Sequence, residues 1–266
     1  MEEPRLTRTE FAHDGALAIV TLLGKDEQKL SPWGARVCEH RINPQLVAEL
    51  NAALDAVLAN EMISAVIVFG EGRFFCNGMD LRWIDANLDK ADELQAAAEK
   101  LLGRILCFPV PTIAAINGHF CAAGCMLGLA FDYRVMSNED ALCFVPAIDI
   151  ALVYSPGMTN LMKAKCPVHM HNDLIVYAKR YSADMLQQER VVHQAVKPDA
   201  VMQSAIALAQ QLTMNNRFKG KRYRDTMHKI KVNTYKDTYN SLTDSRHFQG
   251  MGFATGNWDG RGKSKI

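Results

Sequence analysis

The sequence predicts an α/β fold followed by a helical C-terminal region. Three observations lead there. Apolar runs of strand length recur at Leu17–Leu22, Ala65–Phe69 and Thr112–Ile116, separated by stretches with helical spacing. Shorter runs at Tyr133–Met136 and Leu142–Val145 make the recurring unit strand, strand, helix, with a loose period of roughly 45 residues. Beyond Phe218 the composition turns basic, with Lys219, Lys221, Arg222, Arg224, Lys229, Lys231 and Lys236 on a helical-looking stretch. The chain divides accordingly into a core of residues 1–197 and a helical region of residues 198–266 that ends in an irregular tail.

Each element has a local reason. Leu17–Leu22 reads as a buried strand, and the polar stretch Lys25–Arg41, with Pro32 and Gly34, as a loop. Asn43-Pro44 supplies a capping side chain and then proline at the first helical position. Val47, Leu50, Leu54, Val57 and Leu58 then form one apolar helical face. Ala91–Cys107 is helical, with Leu94, Ala98, Leu101, Leu102 and Ile105 inward, and is ended by Pro109 and Pro111. Asp173–Ala178 and Ala200–Thr213 are further helices, the second started by Pro198 and Asp199. Gly250–Lys263 is Gly-rich and irregular.

Composition narrows the function classes. At 266 residues the chain can bury a substantial core, and 22% charged residues with a net charge of +1 favour neither a polyanionic nor a polycationic partner. No apolar run approaches the roughly 18 residues of a membrane span, and the polar start Met1-Glu2-Glu3 is unlike a secretory signal. Seven cysteines, odd in number and without a CxxC pair, point to a reducing compartment.

Two Gly-bearing segments carry the chemistry: Phe74-Phe75-Cys76-Asn77-Gly78-Met79-Asp80-Leu81 and Asn117-Gly118-His119-Phe120-Cys121-Ala122-Ala123-Gly124. Each follows an apolar strand and leads toward a helix, so each presents free backbone N–H groups at the positive end of a helix dipole. Two such turns can aim two donors at one oxygen, which points to chemistry on a carbonyl or thioester. Asn77-Gly78 permits a positive-φ turn, Asp80 is placed to cap the next helix, and Ala122-Ala123-Gly124 are small enough for close approach.

These segments resemble the two oxyanion loops of the crotonase (enoyl-CoA hydratase/isomerase) superfamily. Pro111–His119, Asp132-Tyr133, Glu39–Pro44, Asp80–Trp83 and Asp149–Leu152 are similar to its peroxisomal plant-type enoyl-CoA delta isomerases, and the resemblance runs over most of Leu17–Val196. Lys25–Cys38 reads as an insertion. The resemblance implies a spiral of strand-strand-helix turns and a C-terminal helical region that packs homotrimers or hexamers. It makes the N–H groups of Met79 and Ala123 an oxyanion hole for an acyl-CoA thioester, with Gly124 beside it. It lays Arg41, Ile42 and the loop of Asn77, Gly78, Met79, Asp80 and Leu81 along coenzyme A, which enters as part of the substrate. No metal or redox cofactor is required.

The sequence departs from that pattern at the acid–base groups. The two hydratase glutamates match Met126 and Ala147, which transfer no protons. Isomerase branches keep one carboxylate, where Ala147 stands or at about Ser155, and neither is acidic here. Asp149 is the nearest replacement: if Pro146–Ile150 is extended, residues 147 and 149 face the same side and Asp149 points toward the pocket. The leading expectation is an isomerase that shifts a 3-enoyl-CoA double bond to the 2 position, with Met79, Ala123 and Asp149 as its catalytic groups. An acyl-CoA-binding protein without turnover, a hydratase and an RNA-binding relative are the alternatives.

Lesser features have blander readings. Cys166, His169 and His171 crowd one segment, but no second ligand cluster accompanies them. His119 reads as packing, Met126 and Met158 as deformable apolar filling. The basic stretch Lys219–Lys236 reads first as a solvated face, second as a contact for CoA phosphates, with no nucleic acid expected. Ser264-Lys265-Ile266 is one conservative change from the Ser-Lys-Leu peroxisomal address and predicts an import receptor as partner. The location is then the peroxisome or a related organelle such as the glycosome, with the cytoplasm as the alternative.

Overall fold

Strands with apolar residues at every position must be covered on both faces, and this requirement sets the architecture. A computed structural model describes residues 4–23, 38–214 and 220–244. Among them the chain forms β1 (Thr7–Ala12), β2 (Leu17–Leu22), α1 (Pro44–Ala59), β3 (Ala65–Gly70), β4 (Phe74–Cys76), α2 (Leu81–Ala86), α3 (Ala91–Leu106), β5 (Thr112–Ile116) and β6 (His119–Cys121). There follow α4 (Ala123–Ala130), β7 (Tyr133–Ser137), β8 (Leu142–Phe144), α5 (Pro156–Lys165), β9 (Tyr181–Ser182), α6 (Ala183–Gln188), β10 (Gln194–Val196), α7 (Val201–Thr213), α8 (Lys221–Thr234) and α9 (Lys236–Thr243).

The strands make two sheets. The larger has the order β1-β2-β3-β5-β7-β10 and is parallel except for the β1–β2 pair. The smaller has the order β4-β6-β8-β9, parallel except at β9. Each of β3, β5 and β7 is followed at once by its partner in the smaller sheet, so the strand-strand-helix unit is the repeating turn of a spiral. The mixed α/β architecture and the C-terminal helices agree with the sequence expectation.

Two-residue alternation divides the core. Ala65, Ile67, Ile113 and Ala115 face α7, where Val201, Ala205, Leu208 and Ala209 cover them. Val66, Val68, Ala114 and Ile116 face the main core with α1, α3 and α4. Asn43 caps α1 by accepting from the Leu46 N–H at 2.9 Å, with Pro44 at the first turn as expected. The Arg104 guanidinium on α3 donates to Asn51 Oδ1 of α1 at 2.8 Å and so ties the two helices. The last helix, α9, lies against both α3 and α5.

Four expectations are corrected. Phe74–Cys76 and His119–Cys121 are strands of the smaller sheet, so each Gly-bearing segment contains a strand of its own. Residues 146–151 are not extended: Ile148–Ile150 is a 3-10 turn held by Asp149 N–H to Pro146 O and Ile150 N–H to Ala147 O. Asn172–Val176 winds as a π-helix after a 3-10 turn at Val168–Met170. The basic stretch is not wholly solvated. Arg224 is buried and donates to the carbonyls of Val57, Leu58, Asn60 and Ile63, closing the C-terminal end of α1, while Lys231 is buried against Phe108 O, Val110 O and Asp132. Lys219, the segments 25–37 and 250–263, and the terminal Ser264-Lys265-Ile266 lie outside the described residues.

Candidate active site

The first corner is built at the end of β4. Gly78 adopts φ +83, a conformation that favours glycine. The Ile42 N–H then donates to Gly78 O at 2.8 Å and the Asp80 N–H to Ile42 O at 2.9 Å, a parallel bridge that pairs Ile42 with Met79. In such a bridge the central residue's own N–H and C=O point away from the partner. The Met79 N–H therefore faces away from Ile42, and no acceptor takes it among the described residues. Asp80 caps α2 through the Trp83 N–H at 3.1 Å, with Leu81 as the first helical residue, and the Asn77 N–H is held by Glu39 O at 2.8 Å. Arg41 is paired with Glu39 at 2.5 Å and is half-buried beside this corner.

The second corner opens α4. Ala122 sits at φ 50, a strained conformation for a residue with a side chain, and its N–H is fastened to Phe144 O at 3.0 Å. Ala123 begins the helix with a free N–H, as the first residues of any α-helix do.

The two corners touch. A Cβ placed on Gly78 would lie 2.9 Å from Ala122 Cβ and 3.2 Å from the Ala123 nitrogen. One placed on Gly124 would lie 2.1 Å from Cys76 O. Adding the covalent path from that Cβ to the next nitrogen puts the Met79 and Ala123 nitrogens within about 7 Å of each other.

Behind them, in the core between α1 and α3, Ile42, Leu46, Leu50, Ala98, Leu101 and Leu127 enclose a small apolar void of about 10 Å³, room for about one water molecule. Ile42 is the residue bridged to Met79, and Leu127 is one helical turn beyond Ala123, so this packed core backs both corners.

Met126 is fully buried in α4 and Ala147 is buried, but Asp149 is exposed on its 3-10 turn. A 3-10 turn has three residues per turn, so residues two apart point about 120° away from each other instead of to one side as in a strand, and Ala147 and Asp149 do not share a face. The carboxylate that is buried is Glu99 on α3. Its Oε1 accepts from Gln95 Nε2 at 2.9 Å; burial pushes its pKa up, opposed by the nearby Ser155 hydroxyl and Gln95 amide. Ser155 also caps α5, accepting from the Met158 N–H at 3.1 Å. Burial holds the hydroxyl of the preceding Tyr154 well above its usual range. Sequence reading missed Glu99 because the apolar periodicity of α3 marks its Leu and Ala positions. The available signal was Gln95 and Glu99, a polar pair four residues apart on one stripe.

Burial disfavours the thiolate at three of the cysteines. Burial raises Cys76 and Cys166 to about 12 and Cys107 to about 11. His169 meets Glu189 at 2.6 Å and His171 meets Cys166 O at 3.1 Å, and among the described residues no group of three or more His, Cys, Asp or Glu side chains is placed to hold a metal. His119 packs edge-on against Phe74 and accepts from the Leu142 N–H at 3.1 Å.

The sequence profile described as enoyl-CoA hydratase/isomerase matches residues 39–250. The chain is 28% identical over 178 residues to the peroxisomal enoyl-CoA delta isomerase 1 of Arabidopsis thaliana, covering 65% of this chain and 74% of that protein. It is 27% identical over 175 residues to the 2,3-dehydroadipyl-CoA hydratase of Escherichia coli K12, covering 66% and 68%. Among solved structures, an enoyl-CoA isomerase of Mycobacterium tuberculosis superposes with a TM-score of 0.76 at 18% identity, covering 94% of this chain and 98% of the other. An enoyl-CoA hydratase of Bacillus anthracis gives 0.74 at 20% identity, covering 92% of each.

Proposed function

The chain belongs to the enoyl-CoA hydratase/isomerase family, and we propose that within it this protein is an isomerase, moving the double bond of a 3-enoyl-CoA to the 2 position. One observation carries this reading: the Met79 and Ala123 N–H groups, both without a protein acceptor among the described residues, stand on corners in direct backbone contact. A thioester oxygen between them would receive two hydrogen bonds that strengthen as an enolate forms, and each such donor is typically worth about 10²–10³ in rate. Arg41, Ile42 and the Asn77–Leu81 loop follow the coenzyme A portion. Hydration is disfavoured because Met126 and Ala147 supply neither acid nor base for activating water. Similarity to peroxisomal relatives supports a peroxisomal location.

The test is conversion of trans-3-hexenoyl-CoA by the purified full-length chain, followed by the absorbance of the conjugated 2-enoyl thioester. Turnover without net hydration of 2-hexenoyl-CoA is expected. Tight binding of the thioester with no turnover would instead favour a non-catalytic acyl-CoA-binding protein.

A further inference from the structure

A side-chain hydrogen bond joins the two corners. The Cys121 thiol donates to Asn77 Oδ1 at 2.9 Å, across 44 positions of chain. Asn77 stands one residue before Gly78 at φ +83, and Cys121 one residue before Ala122 at φ 50. Met79 and Ala123, which carry the two free amides, each lie two residues beyond an end of this bond. Residues 77–79 and 121–123 are thus matching arms, tied at their bases.

Each arm is also held by its own neighbours. On the first, the Asn77 N–H donates to Glu39 O at 2.8 Å and the Cys76 thiol to His40 O at 3.0 Å, while Ile42 bridges Gly78 and Asp80. On the second, the Ala122 N–H is fastened to Phe144 O at 3.0 Å. Those bonds fix each arm to its surroundings, and the Cys121–Asn77 bond fixes one arm to the other. Cys121 is buried, and burial raises its thiol pKa, so it keeps the proton that it donates. A thiol is a weak donor, so the bond adds little to global stability. What it sets is where the arms stand, and a strained residue such as Ala122 persists only where its surroundings over-determine it.

We propose that Asn77 is a positioning residue of this site: its side-chain carbonyl, held by the Cys121 thiol, keeps the Met79 amide in register with the Ala123 amide. The inference rests on the isomerase reading above and adds to it a side chain that acts through the two backbone donors. In this role Asn77 transfers no proton and touches no reacting atom. A residue without a side-chain acceptor at position 77 leaves both amides present and free, with their separation no longer fixed. Two donors on one oxygen act through geometry, and their hydrogen bonds strengthen as the enolate forms. Loss of the tie therefore weakens the transition state more than the bound ground state and shows in kcat rather than in KM.

The experiment uses the full-length chain with two probes: trans-3-hexenoyl-CoA for turnover, and hexanoyl-CoA carrying carbon-13 in the thioester carbonyl for the infrared stretch of that group when bound. Wild type is expected to lower the stretch relative to free hexanoyl-CoA, because two donors polarise the carbonyl. Asn77→Ala should lower kcat about 10-fold, short of the roughly 10² that a 1 Å misplacement costs. Its KM and thermal transition should stay near wild type, and the stretch should return part of the way to the free value. Cys121→Ala should do the same to kcat and to the stretch, and the double variant should lose no more than either single one, since both remove one bond. Cys121→Ser keeps a donor and should recover most of the loss. Asn77→Ala with the wild-type kcat and carbonyl stretch overturns the proposal. So does a double variant whose losses multiply, or a change in KM alone, which would make Asn77 a coenzyme A contact. Wild type that shifts the carbonyl without turnover, the shift shrinking in Asn77→Ala, keeps the positioning role and removes the isomerase reading. Wild type that does neither removes both.

Discussion

Gly124→Ala tests whether the contact between the two corners sets the geometry of the site. The added methyl would lie 2.1 Å from Cys76 O, 2.6 Å from Cys76 C and 2.9 Å from Cys76 Cβ. Ordinary contact begins near 3.4 Å, so β4 and the first turn of α4 must separate by more than about 1 Å. Neither side can yield by a rotamer change, because the obstacle is backbone on one side and a helix start on the other. Overpacking of this kind costs about 1–3 kcal/mol, and for a chain of this length each kcal/mol lowers Tm by roughly 2–4 °C. The same displacement carries Ala123 away from Met79, and misplacing a reacting group by about 1 Å costs on the order of 10² in rate. The assay is kcat on trans-3-hexenoyl-CoA, measured well below the Tm of the variant. Gly78→Ala, with a closest approach of 2.9 Å and a positive φ, should move both quantities the same way. Gly15→Ala is the control, because its φ of +77 is strained but no atom lies within 4 Å of the new methyl; it should lose stability and keep kcat. A folded Gly124→Ala protein with wild-type kcat would refute the argument that these corners position the reacting oxygen.

Three further outcomes are expected. Asn43→Ala leaves the Leu46 N–H without its 2.9 Å acceptor and should lower the urea-unfolding free energy by about 1 kcal/mol; an unchanged midpoint would mean the cap is replaced by solvent without cost. Asp132→Asn leaves the Lys231 ammonium, bonded to Asp132 at 2.6 Å, buried without its counter-charge, and should cost about 3–5 kcal/mol, read from the same titration. Lys165 is pushed down to about 7, first by burial and then by Arg134 and Lys231, with Asp132 and Cys107 acting the other way. Because the unfolded lysine keeps its proton to about pH 10, the unfolded state binds more protons between those values and stability should rise with pH from about 7. Lys165→Met should flatten that slope in Tm measured from pH 7 to 10, and an unchanged slope would assign it to another group.

Much of the scaffold is legible locally. The runs at Leu17–Leu22 and Thr112–Ile116 are strands over those residues. Asn43-Pro44 starts a helix where capping chemistry says it should, and Ala91–Leu106 ends one residue short of the expected boundary. Asp80 caps the helix after the first corner. These features depend on side chains a few residues apart, and their energetics travel with the sequence.

What the sequence by itself determined was this set of strands and helices, the positive-φ glycine at residue 78 and the small residues that permit close approach at residues 122–124. Folding decided the rest. The three-residue strands Phe74–Cys76 and His119–Cys121 are too short to show a period and exist only because they pair across 45 positions of chain, Phe74 with His119. Asp149 is exposed and does not share a face with Ala147 because backbone hydrogen bonds closed a 3-10 turn where alternation implied a strand. Glu99 entered the interior because α5 and α9 close over a stripe of α3 that, in an isolated amphipathic helix, would face water. Periodicity reports which face of an element is apolar, but the burial of a charge is set by what arrives later to cover it.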